Sequence, residues 1–201
     1  MTYTELIFID NENVPKLYSI NNPYVINKLN RIKSNEYILH SAAGYSLLGK
    51  MMSERFNIDI NSTNIIENKY GKPFFVDCKI KFSISHTKGA VACSISESEI
   101  GIDIEKISEI RENILKLYTK RELDQILAPS DFYALWTLKE SAVKMTGKGI
   151  SDIKKHEFIL RPEITCISDS LYKNTNHKTF IVKDFVMSVS STDTIDQPAI
   201  I

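Results

Sequence analysis

The sequence lacks three features: an excess of charge of one sign, a cysteine framework and a long apolar run. Its 201 residues include 25 Lys and Arg and 25 Asp and Glu, so the formal net charge is zero. A protein that coats nucleic acid needs a strongly basic surface, so this balance argues against a nucleic-acid partner. It does not exclude a local basic patch that binds a small anion.

The cysteines and the hydropathy point to a reducing, aqueous compartment. Cys78, Cys93 and Cys166 are few, odd in number and far apart, and they form no CxxC pair. A disulfide framework or a zinc knuckle is therefore not expected. No apolar run approaches the roughly 18 residues of a transmembrane helix. The start, Met1–Glu5, lacks the basic and apolar regions of a secretory signal, so we expect a cytoplasmic protein that does not associate with membranes.

The first third of the chain predicts a strand and then a long helix. Thr4–Asp10 alternates weakly between apolar and polar residues, which is typical of a strand. A basic, polar stretch containing Lys28 and Arg31 follows. Apolar residues then recur at nearly helical spacing from Asn35 to Phe56, which predicts an amphipathic helix in spite of Gly44 within it.

The middle of the chain predicts short strands. Three apolar or β-branched runs lie between Lys79 and Glu105, separated by His86–Gly89 and by Glu97–Glu99. This pattern is typical of an antiparallel meander.

The pattern then returns to helices. Thr119 and Glu122 have the spacing of a capping box, which predicts a helix that continues through Leu127. Pro129–Asp131 would end that helix and cap a second one, from about Phe132 to Met145. Two glycines are candidates for left-handed residues at its end: Gly147 and Gly149.

Two β-rich runs, Thr179–Phe185 and Val186–Ser190, come last. A helix followed by strands thus occurs twice. This order predicts an α+β protein of two related halves.

Two carboxylates in Ile100–Glu105 are the first candidates for a functional site. Asp103 and Glu105 alternate with isoleucines, and residues i and i+2 of a strand share one face. Two adjacent oxygen ligands suit Mg²⁺, which takes one or two carboxylates together with water and substrate phosphate. Taken alone, the pattern is more typical of a strand with one solvent-exposed face.

Trp136–Lys144 supplies a third carboxylate and a cation. Glu140 and Lys144 lie one helical turn apart, where an exposed pair contributes about 0.2–0.5 kcal/mol to a helix. That is the better interpretation of the pair in isolation. The functional alternative makes Glu140 a metal ligand and Lys144 a cation for phosphate. Apolar residues would dock this helix onto the sheet and bring Glu140 to the strand carboxylates: Leu135, Leu138, Ala142 and Met145.

The sequence around Ser83–His86 invites comparison with hydrolases. No GxSxG elbow is present and no acid partner can be placed, so serine hydrolysis is not favoured. A histidine at a strand end is more often a turn residue or a partner of an anion.

Together these segments resemble the 4′-phosphopantetheinyl transferase superfamily, because of the order of the motifs. Each motif is weak alone, but the ordered set is specific. The set runs from Gly71 to Gly149: Gly71-Lys72-Pro73, Phe82-Ser83-Ile84-Ser85-His86, Ile100–Glu105, Trp136–Lys144 and Gly147-Lys148-Gly149. The chain length resembles the surfactin-type (Sfp-type) branch.

The resemblance implies a fold and a different role for each half of the chain. The fold would be an α+β pseudo-dimer of two similar halves, each an antiparallel sheet packed with a long helix. Residues 1–100 would hold the coenzyme A nucleotide contacts. Residues 101–201 would hold the metal ligands and the catalytic helix, and the protein would be a monomer.

The resemblance also implies an activity, that of a holo-[carrier-protein] synthase. Such an enzyme uses Mg²⁺ to move the phosphopantetheine of coenzyme A onto a serine of an apo acyl or peptidyl carrier protein, and it releases 3′,5′-ADP. Asp103, Glu105 and Glu140 would hold the metal. Glu140 would also take the serine proton, and Lys144 would bind coenzyme A and stabilise phosphate charge. The implied nucleotide contacts are Lys72, Ser85 and His86, with further phosphate contacts among Lys28, Arg31 and Lys33.

One position departs from the family pattern. Tyr45 precedes Ser46-Leu47-Leu48-Gly49 where members of the branch usually have an arginine. A tyrosine can stack on adenine or donate one hydrogen bond, but it cannot neutralise a phosphate. Loss of one charge-assisted contact would cost about 1.5–3 kcal/mol of cofactor binding.

Two other classes of function compete with the transferase. One is a non-catalytic relative that binds coenzyme A or a carrier protein, which Tyr45 favours slightly. The other is a different Mg²⁺-dependent phosphoryl-transfer enzyme. The four retained residues, Asp103, Glu105, Glu140 and Lys144, weigh against the first, and the neutral charge weighs against a nucleic-acid substrate for the second.

Overall fold

The computed structural model describes residues 1–9, 18–160, 165–166 and 174–201. Within these residues the α-helices are α1 Pro23–Leu29, α2 Asn35–Phe56, α3 Lys120–Leu123 and α4 Pro129–Thr146. The strands are β1 Tyr3–Phe8, β2 Ile65–Glu67, β3 Pro73–Phe75, β4 Lys81–Thr87, β5 Ala90–Ser96, β6 Ile100–Lys106, β7 Phe158–Ile159, β8 Thr165–Cys166, β9 Asn176–Val182, β10 Phe185–Ser191 and β11 Ala199–Ile200. The α+β class expected from the sequence is confirmed.

The first main sheet has the order β11-β1-β5-β4 and carries α2 on one face. Strand β1 confirms the predicted opening strand, except that Asp10 lies outside the described residues. Helix α2 has the predicted bounds, because Ser34 caps its start and Asn57 ends it in a left-handed conformation. A Cβ on Gly44 would lie 2.6 Å from Ile84 Cγ2, so this glycine lets the helix approach β4 closely.

The second main sheet has the order β6-β10-β9 and carries α4. The meander predicted from Lys79 to Glu105 is wrong in its last step. Strand β4 pairs with β5, but β6 pairs with β10, with Asp103 opposite Ser188. The turn after β5 therefore sends the chain into a different sheet, where β10 from the end of the sequence is the partner. Local pattern cannot reveal such a non-local pairing.

Serine hydroxyls join the two main sheets where β4 and β6 face each other. The backbone N–H of Ile102 donates to Ser83 Oγ at 3.1 Å, and that of Ile104 donates to Ser85 Oγ at 3.3 Å. Side-chain oxygens thus replace the carbonyl oxygens of a ladder at this seam. They satisfy backbone groups that would be costly to bury unpaired.

The capping box at Thr119 is confirmed, but the helix after it is shorter than predicted. Thr119 N donates to Glu122 Oε2 at 2.8 Å, and Glu122 N donates to Thr119 Oγ1 at 3.2 Å. Helix α3 ends at Leu123 and not at Leu127. The N–H of Leu127 donates to the Asp131 carboxylate at 3.0 Å, so Leu127 is bonded to the start of α4 and does not extend α3.

Helix α4 begins at Pro129, a little earlier than predicted, and ends at Thr146, after which Gly147 caps it with a φ of +65°. Gly149 also has a positive φ, of +76°, but it precedes the next 3₁₀ turn, Ile150–Lys155. The left-handed cap predicted at the end of this helix is therefore confirmed for Gly147 and is wrong for Gly149, whose ψ of 173° lies outside the left-handed helical region.

A buried ion pair fixes α4 against α3. Lys139 and Glu122 are both fully buried, and Lys139 Nζ donates to the two carboxylate oxygens at 2.9 and 3.0 Å. Lys139 also donates to the carbonyl of His156, and the backbone N–H of Phe158 donates to Glu122. These bonds satisfy both charges away from water and lock the orientation of α4.

The two late strands are confirmed as β9 and β10, with the break between them two residues earlier than predicted. The turn lies at Lys183 and Asp184, and Lys183 has a φ of +55°. Cys78 and Cys93 are free thiols, whereas the side chain of Cys166 lies outside the described residues. Across the described segments, no helix combines the length and the apolar character of a membrane span.

Candidate active site

Strand β6 presents two carboxylates opposite its buried isoleucines, as the spacing predicts. Asp103 is itself buried, and its Oδ1 accepts hydrogen bonds from Lys144 Nζ at 2.6 Å and from Ser85 Oγ at 2.8 Å. Glu105, two residues further along the strand, accepts a hydrogen bond from Arg111 Nη2 at 2.7 Å. Each strand carboxylate is therefore held by one basic side chain.

Helix α4 brings Lys144 to Asp103 because it lies unusually close to β6. A Cβ on Gly101 would be 2.0 Å from Ser141 O and 2.3 Å from Met145 N, so only glycine fits at this crossing. The apolar residues predicted to dock this helix are all buried: Leu135, Leu138, Ala142 and Met145. The docking predicted from the sequence is thus confirmed.

Glu140 lies in the electrostatic field of the same cluster. Burial raises the pKa of Glu140 to about 7, and the negative charge of Asp103 adds to the rise, while Lys144 opposes it. A carboxyl group with a pKa near neutrality can both accept and release a proton under ordinary conditions. Glu140 is therefore the group in this cluster best suited to proton transfer.

Ser85 and His86, from the Ser–His motif, have different environments. Ser85 donates its proton to Asp103 and accepts from Lys144 Nζ at 3.0 Å, so it braces this ion pair. Because that proton does not go to His86, Ser85 is not arranged as a hydrolase nucleophile. Burial lowers the pKa of His86, and the charges of His40 and Lys144 lower it further, so the imidazole is neutral at pH 7.

A cavity of about 350 Å³ opens beside this cluster. Residues from strand β4 of the first main sheet, from both long helices and from the turn before β3 contribute to its wall. Six of the predicted site residues line it: Lys28, Tyr45, Lys72, His86, Glu140 and Lys144. Four do not: Arg31, Ser85, Asp103 and Glu105.

Arg31 lies in an adjoining groove of about 230 Å³ that shares Lys28 with the cavity. Glu67 lies in the same groove, 3.4 Å from Lys28 Nζ, and accepts from the hydroxyl of Tyr24 at 2.5 Å. Both cations and one carboxylate therefore meet at the edge of the cavity. Their net charge is positive, which suits an anionic ligand.

Tyr45 is almost fully buried in the cavity wall. Its ring meets that of Tyr24 edge to face, with the centroids 6.2 Å apart. Burial raises the pKa of Tyr45 to about 12, so the hydroxyl stays neutral. Tyr45 can offer a ligand one hydrogen bond and an aromatic surface, but no charge.

Lys72 lines the cavity, but its ammonium group is engaged elsewhere. Its Nζ donates to the carbonyls of Met145 at 2.9 Å and Ile100 at 3.2 Å. The implied contact with the nucleotide is not visible in this arrangement and stays a prediction.

Comparison with known proteins identifies the family. Residues 99–190 match the model of the 4′-phosphopantetheinyl transferase superfamily. The 4′-phosphopantetheinyl transferase gsp of Aneurinibacillus migulanus is 40% identical over 129 residues, which cover 57% of this chain and 53% of that protein. The 4′-phosphopantetheinyl transferase Sfp of Bacillus subtilis is 31% identical over 151 residues, covering 71% and 67%.

The chain belongs to the 4′-phosphopantetheinyl transferase superfamily. The likeness to gsp and Sfp assigns it to the surfactin-type branch. The matched part of the chain spans between about half and two thirds of the length of these relatives.

The carboxylates of Asp103, Glu105 and Glu140 suit a divalent cation. Within the described residues, Asp103 Oδ2 is buried without a hydrogen-bond partner. The charges of Asp103 and Glu105 both raise the pKa of Glu140, so a cation among the three would relieve their repulsion. The described side chains of His, Cys, Asp and Glu form no group of three already gathered around one point. Lys144 and Arg111 instead form ion pairs with Asp103 and Glu105.

Sequence reasoning missed two residues of the candidate site. Arg111, which holds Glu105, lies over the rings of Tyr133 and Trp136, at 5.3 and 5.7 Å from their centroids. Asn68 joins a turn beside the cavity to the end of α4, through Gly147 O at 2.9 Å. Neither residue belongs to the ordered motifs. The contact of Asn68 spans 79 positions of the sequence, so no local spacing could have indicated it.

Proposed function

We propose that this protein transfers 4′-phosphopantetheine from coenzyme A to a serine of an apo acyl or peptidyl carrier protein and releases 3′,5′-ADP. One observation carries the proposal. Lys28, His86, Glu140 and Lys144, which come from three separate segments of the chain, line a single cavity next to Asp103. The names of the relatives support the same activity.

The cavity suits the anionic end of coenzyme A. Lys28 and His86 lie in the wall, and Arg31 lies in the groove that adjoins it at Lys28. Lysine and arginine side chains bind phosphate through charge-assisted hydrogen bonds. We assign these residues to the nucleotide phosphates and assign Tyr45 to the wall against the nucleotide, while Ser85 acts by holding Asp103 and Lys144.

Asp103, Glu105 and Glu140 would hold Mg²⁺. Oxygen ligands in this number, together with substrate phosphate, are what this ion prefers. When bound, Mg²⁺ would supply positive charge to the pyrophosphate of coenzyme A. Ligation requires Asp103 and Glu105 to share or exchange their present partners, Lys144 and Arg111.

The protein side chains then account for charge and protons in the transfer. The carrier serine Oγ attacks the β-phosphorus of coenzyme A, a new P–O bond forms, and the P–O bond to the leaving 3′,5′-ADP breaks. Glu140 would accept the serine proton, directly or through a water molecule. Lys144, whose Nζ reaches Asp103 and Ser85, is placed to neutralise the oxygens of the transferred group.

Several wider features belong to the same proposal. We divide the chain into residues 1–100, with most nucleotide contacts, and residues 101–201, with the metal ligands and the catalytic helix. We expect these halves to form a pseudo-dimer and the chain to act as a cytoplasmic monomer. An acidic helix of the carrier would meet the basic side chains of segment Ser108–Arg121, namely Lys116, Lys120 and Arg121.

The direct test is intact-mass spectrometry of apo carrier proteins incubated with this protein, coenzyme A and Mg²⁺. We expect a mass gain of one phosphopantetheine, and its loss when EDTA is added. Coenzyme A binding without a mass gain on acyl or peptidyl carriers would instead support a non-catalytic binding relative. A mass gain that persists in EDTA would refute the metal requirement.

A further inference from the structure

The C-terminal end of α4 is capped by side chains from a distant turn. The last carbonyls of a helix have no partner within it. Met145 O accepts from Lys72 Nζ at 2.9 Å, and Gly147 O accepts from Asn68 Nδ2 at 2.9 Å. The turn that supplies both donors, residues 68–72, joins β2 to β3 and lies more than 70 positions earlier in the sequence.

Asn68 also builds the turn from which it acts. Its Oδ1 accepts from the backbone N–H of Tyr70 at 2.8 Å and from that of Lys72 at 3.1 Å. The backbone N–H of Asn68 donates to Lys72 O at 2.9 Å, and that of Gly71 donates to Asn68 O at 2.9 Å. One amide side chain thus closes the turn with its oxygen and binds α4 with its nitrogen.

Lys72 brings a positive charge to the contact between the turn and the end of α4. Its Nζ also donates to Ile100 O at 3.2 Å, so it joins the end of α4 to the start of β6. The side chain is largely buried, and the Glu99 carboxylate lies 3.6 Å from Nζ. A positive charge at the C-terminal end of a helix interacts favourably with the helix dipole.

The elements held together here are those that form the cavity. Tyr70, Gly71 and Pro73 line it from the turn, and Gly147 and Gly149 line it from the end of α4. A Cβ on Gly147 would lie 3.0 Å from Asn68 Nδ2 and from Lys72 Cδ, so the two sides are in tight contact. The width of the cavity at this end therefore depends on these bonds.

The same helix carries the reacting groups. Lys144 immediately precedes Met145, and Glu140 lies about one turn further back. A shift of the end of α4 would move Lys144 away from Asp103 and would widen the cavity at the same time. Asn68 does not itself line the cavity, so we expect it to influence a ligand there through the turn and the helix.

We infer that Asn68 and Lys72 form a latch that holds the turn 68–72 onto the end of α4 and sets the geometry of the coenzyme A site. Both are positioning residues, and Lys72 acts through the carbonyls of Met145 and Ile100 and not as a phosphate ligand. The inference rests on the proposed function for the identity of the ligand. The latch itself is a property of the ligand-free chain.

Four variants of the full chain test it. Asn68→Ala removes the whole latch side chain, and Asn68→Asp keeps the acceptor for the turn but replaces the donor to Gly147 O with an oxygen. Lys72→Met removes the ammonium group at similar length. Asn64→Ala is the matched control, because Asn64 is an exposed asparagine at the other end of the same hairpin.

Two measurements are made on each variant. The first is hydrogen exchange of the Gly147 amide, which donates to Val143 O at 2.9 Å, in the absence of ligand. The second is equilibrium binding of coenzyme A and of dephospho-coenzyme A, which lacks the 3′-phosphate. Loss of one latch bond should speed exchange and weaken both ligands, each by roughly three- to tenfold. Asn64→Ala should change neither.

The two ligands separate the latch from a direct contact between Lys72 and the 3′-phosphate. A positioning role predicts that Lys72→Met weakens coenzyme A and dephospho-coenzyme A by the same factor. Weaker binding of coenzyme A alone would overturn it, as would unchanged exchange in Asn68→Ala. If the wild-type protein bound neither ligand, the proposed function would fail, and the exchange rates would still decide whether the latch exists.

Discussion

Lys144 Nζ lies 2.6 Å from Asp103 Oδ1, and this ion pair joins helix α4 to strand β6 at the edge of the cavity. Asp103 is nearly buried, whereas Lys144 is about one third exposed, with its other bond to Ser85. The lysine therefore neutralises a carboxylate that has little access to water.

Replacing Lys144 should abolish most of the transfer activity. Lys144→Met keeps the length of the side chain but removes its charge, so we expect kcat/KM for transfer to fall by roughly 10- to 100-fold. The measurement is the initial rate of carrier modification at saturating Mg²⁺. Lys79→Met, at an exposed lysine outside the cavity, is the control and should keep the wild-type rate. Unchanged kcat/KM in Lys144→Met would contradict its assignment.

The titration of Glu140 should appear in the stability of the metal-free protein. Its pKa is about 7 in the folded protein against an ordinary value of 4.5. The folded chain therefore retains a proton that the unfolded chain has released between these two values. The stability contributed by this group falls as the pH rises through that window and stays low above it.

The matched variant for this effect is Glu140→Gln, which keeps the shape without the charge. His156 and His177 titrate in an overlapping range, since burial lowers both pKa values to about 4, and their contribution rises with pH. The informative quantity is thus the difference in Tm between the wild-type protein and Glu140→Gln, measured in EDTA from pH 4.5 to 8. We expect Glu140→Gln to become the more stable protein at the alkaline end. A constant difference across this range would contradict the raised pKa.

Breaking the buried pair of Lys139 and Glu122 should strongly destabilise the protein. Lys139→Met leaves a carboxylate buried without its counter-ion, which should lower the free energy of unfolding by about 3–5 kcal/mol. Chemical denaturation measures this loss. The double variant with Glu122→Gln removes the uncompensated charge and should recover part of it. A double variant less stable than Lys139→Met would show that the charge is not the cause.

Gly101 should tolerate no side chain. Gly101→Ala places a methyl group 2.0 Å from Ser141 O, so the whole helix must move away from β6, and Lys144 with it. We expect loss of both cooperative unfolding and transfer activity. Gly44→Ala is the matched control, since its nearest neighbour is the Ile84 side chain, which can rotate away at about 1–3 kcal/mol. Equal effects of the two substitutions would contradict the difference between backbone and side-chain neighbours.

Local pattern predicted the elements of this fold better than their pairing. The bounds of α2 follow from its apolar periodicity and its caps, and the face shared by Asp103 and Glu105 follows from strand geometry. The partner of β6 does not, because β10 lies about 80 residues later and nothing in Ile100–Lys106 specifies it. The early end of α3 depends on the Asp131 carboxylate, which competes for the N–H of Leu127.

In the candidate site too, motifs predicted some of the residues but not the contacts between distant segments. Glu140 and Lys144 were recognisable from motif order, and the cavity does bring them beside Lys28 and His86. The bond from Arg111 to Glu105 and the bond from Asn68 to Gly147 depend on how distant segments pack. Both lie outside the motifs, so they became visible only in three dimensions.

The most direct test of the proposed function is the stoichiometry of product release. Apo carrier protein, coenzyme A and Mg²⁺ are incubated with this protein, and 3′,5′-ADP is quantified beside the mass of the carrier. We predict one 3′,5′-ADP for each phosphopantetheine attached, and none when the acceptor serine of the carrier is replaced by alanine. Absence of 3′,5′-ADP with an intact carrier, or its release without a carrier, would contradict the transferase assignment.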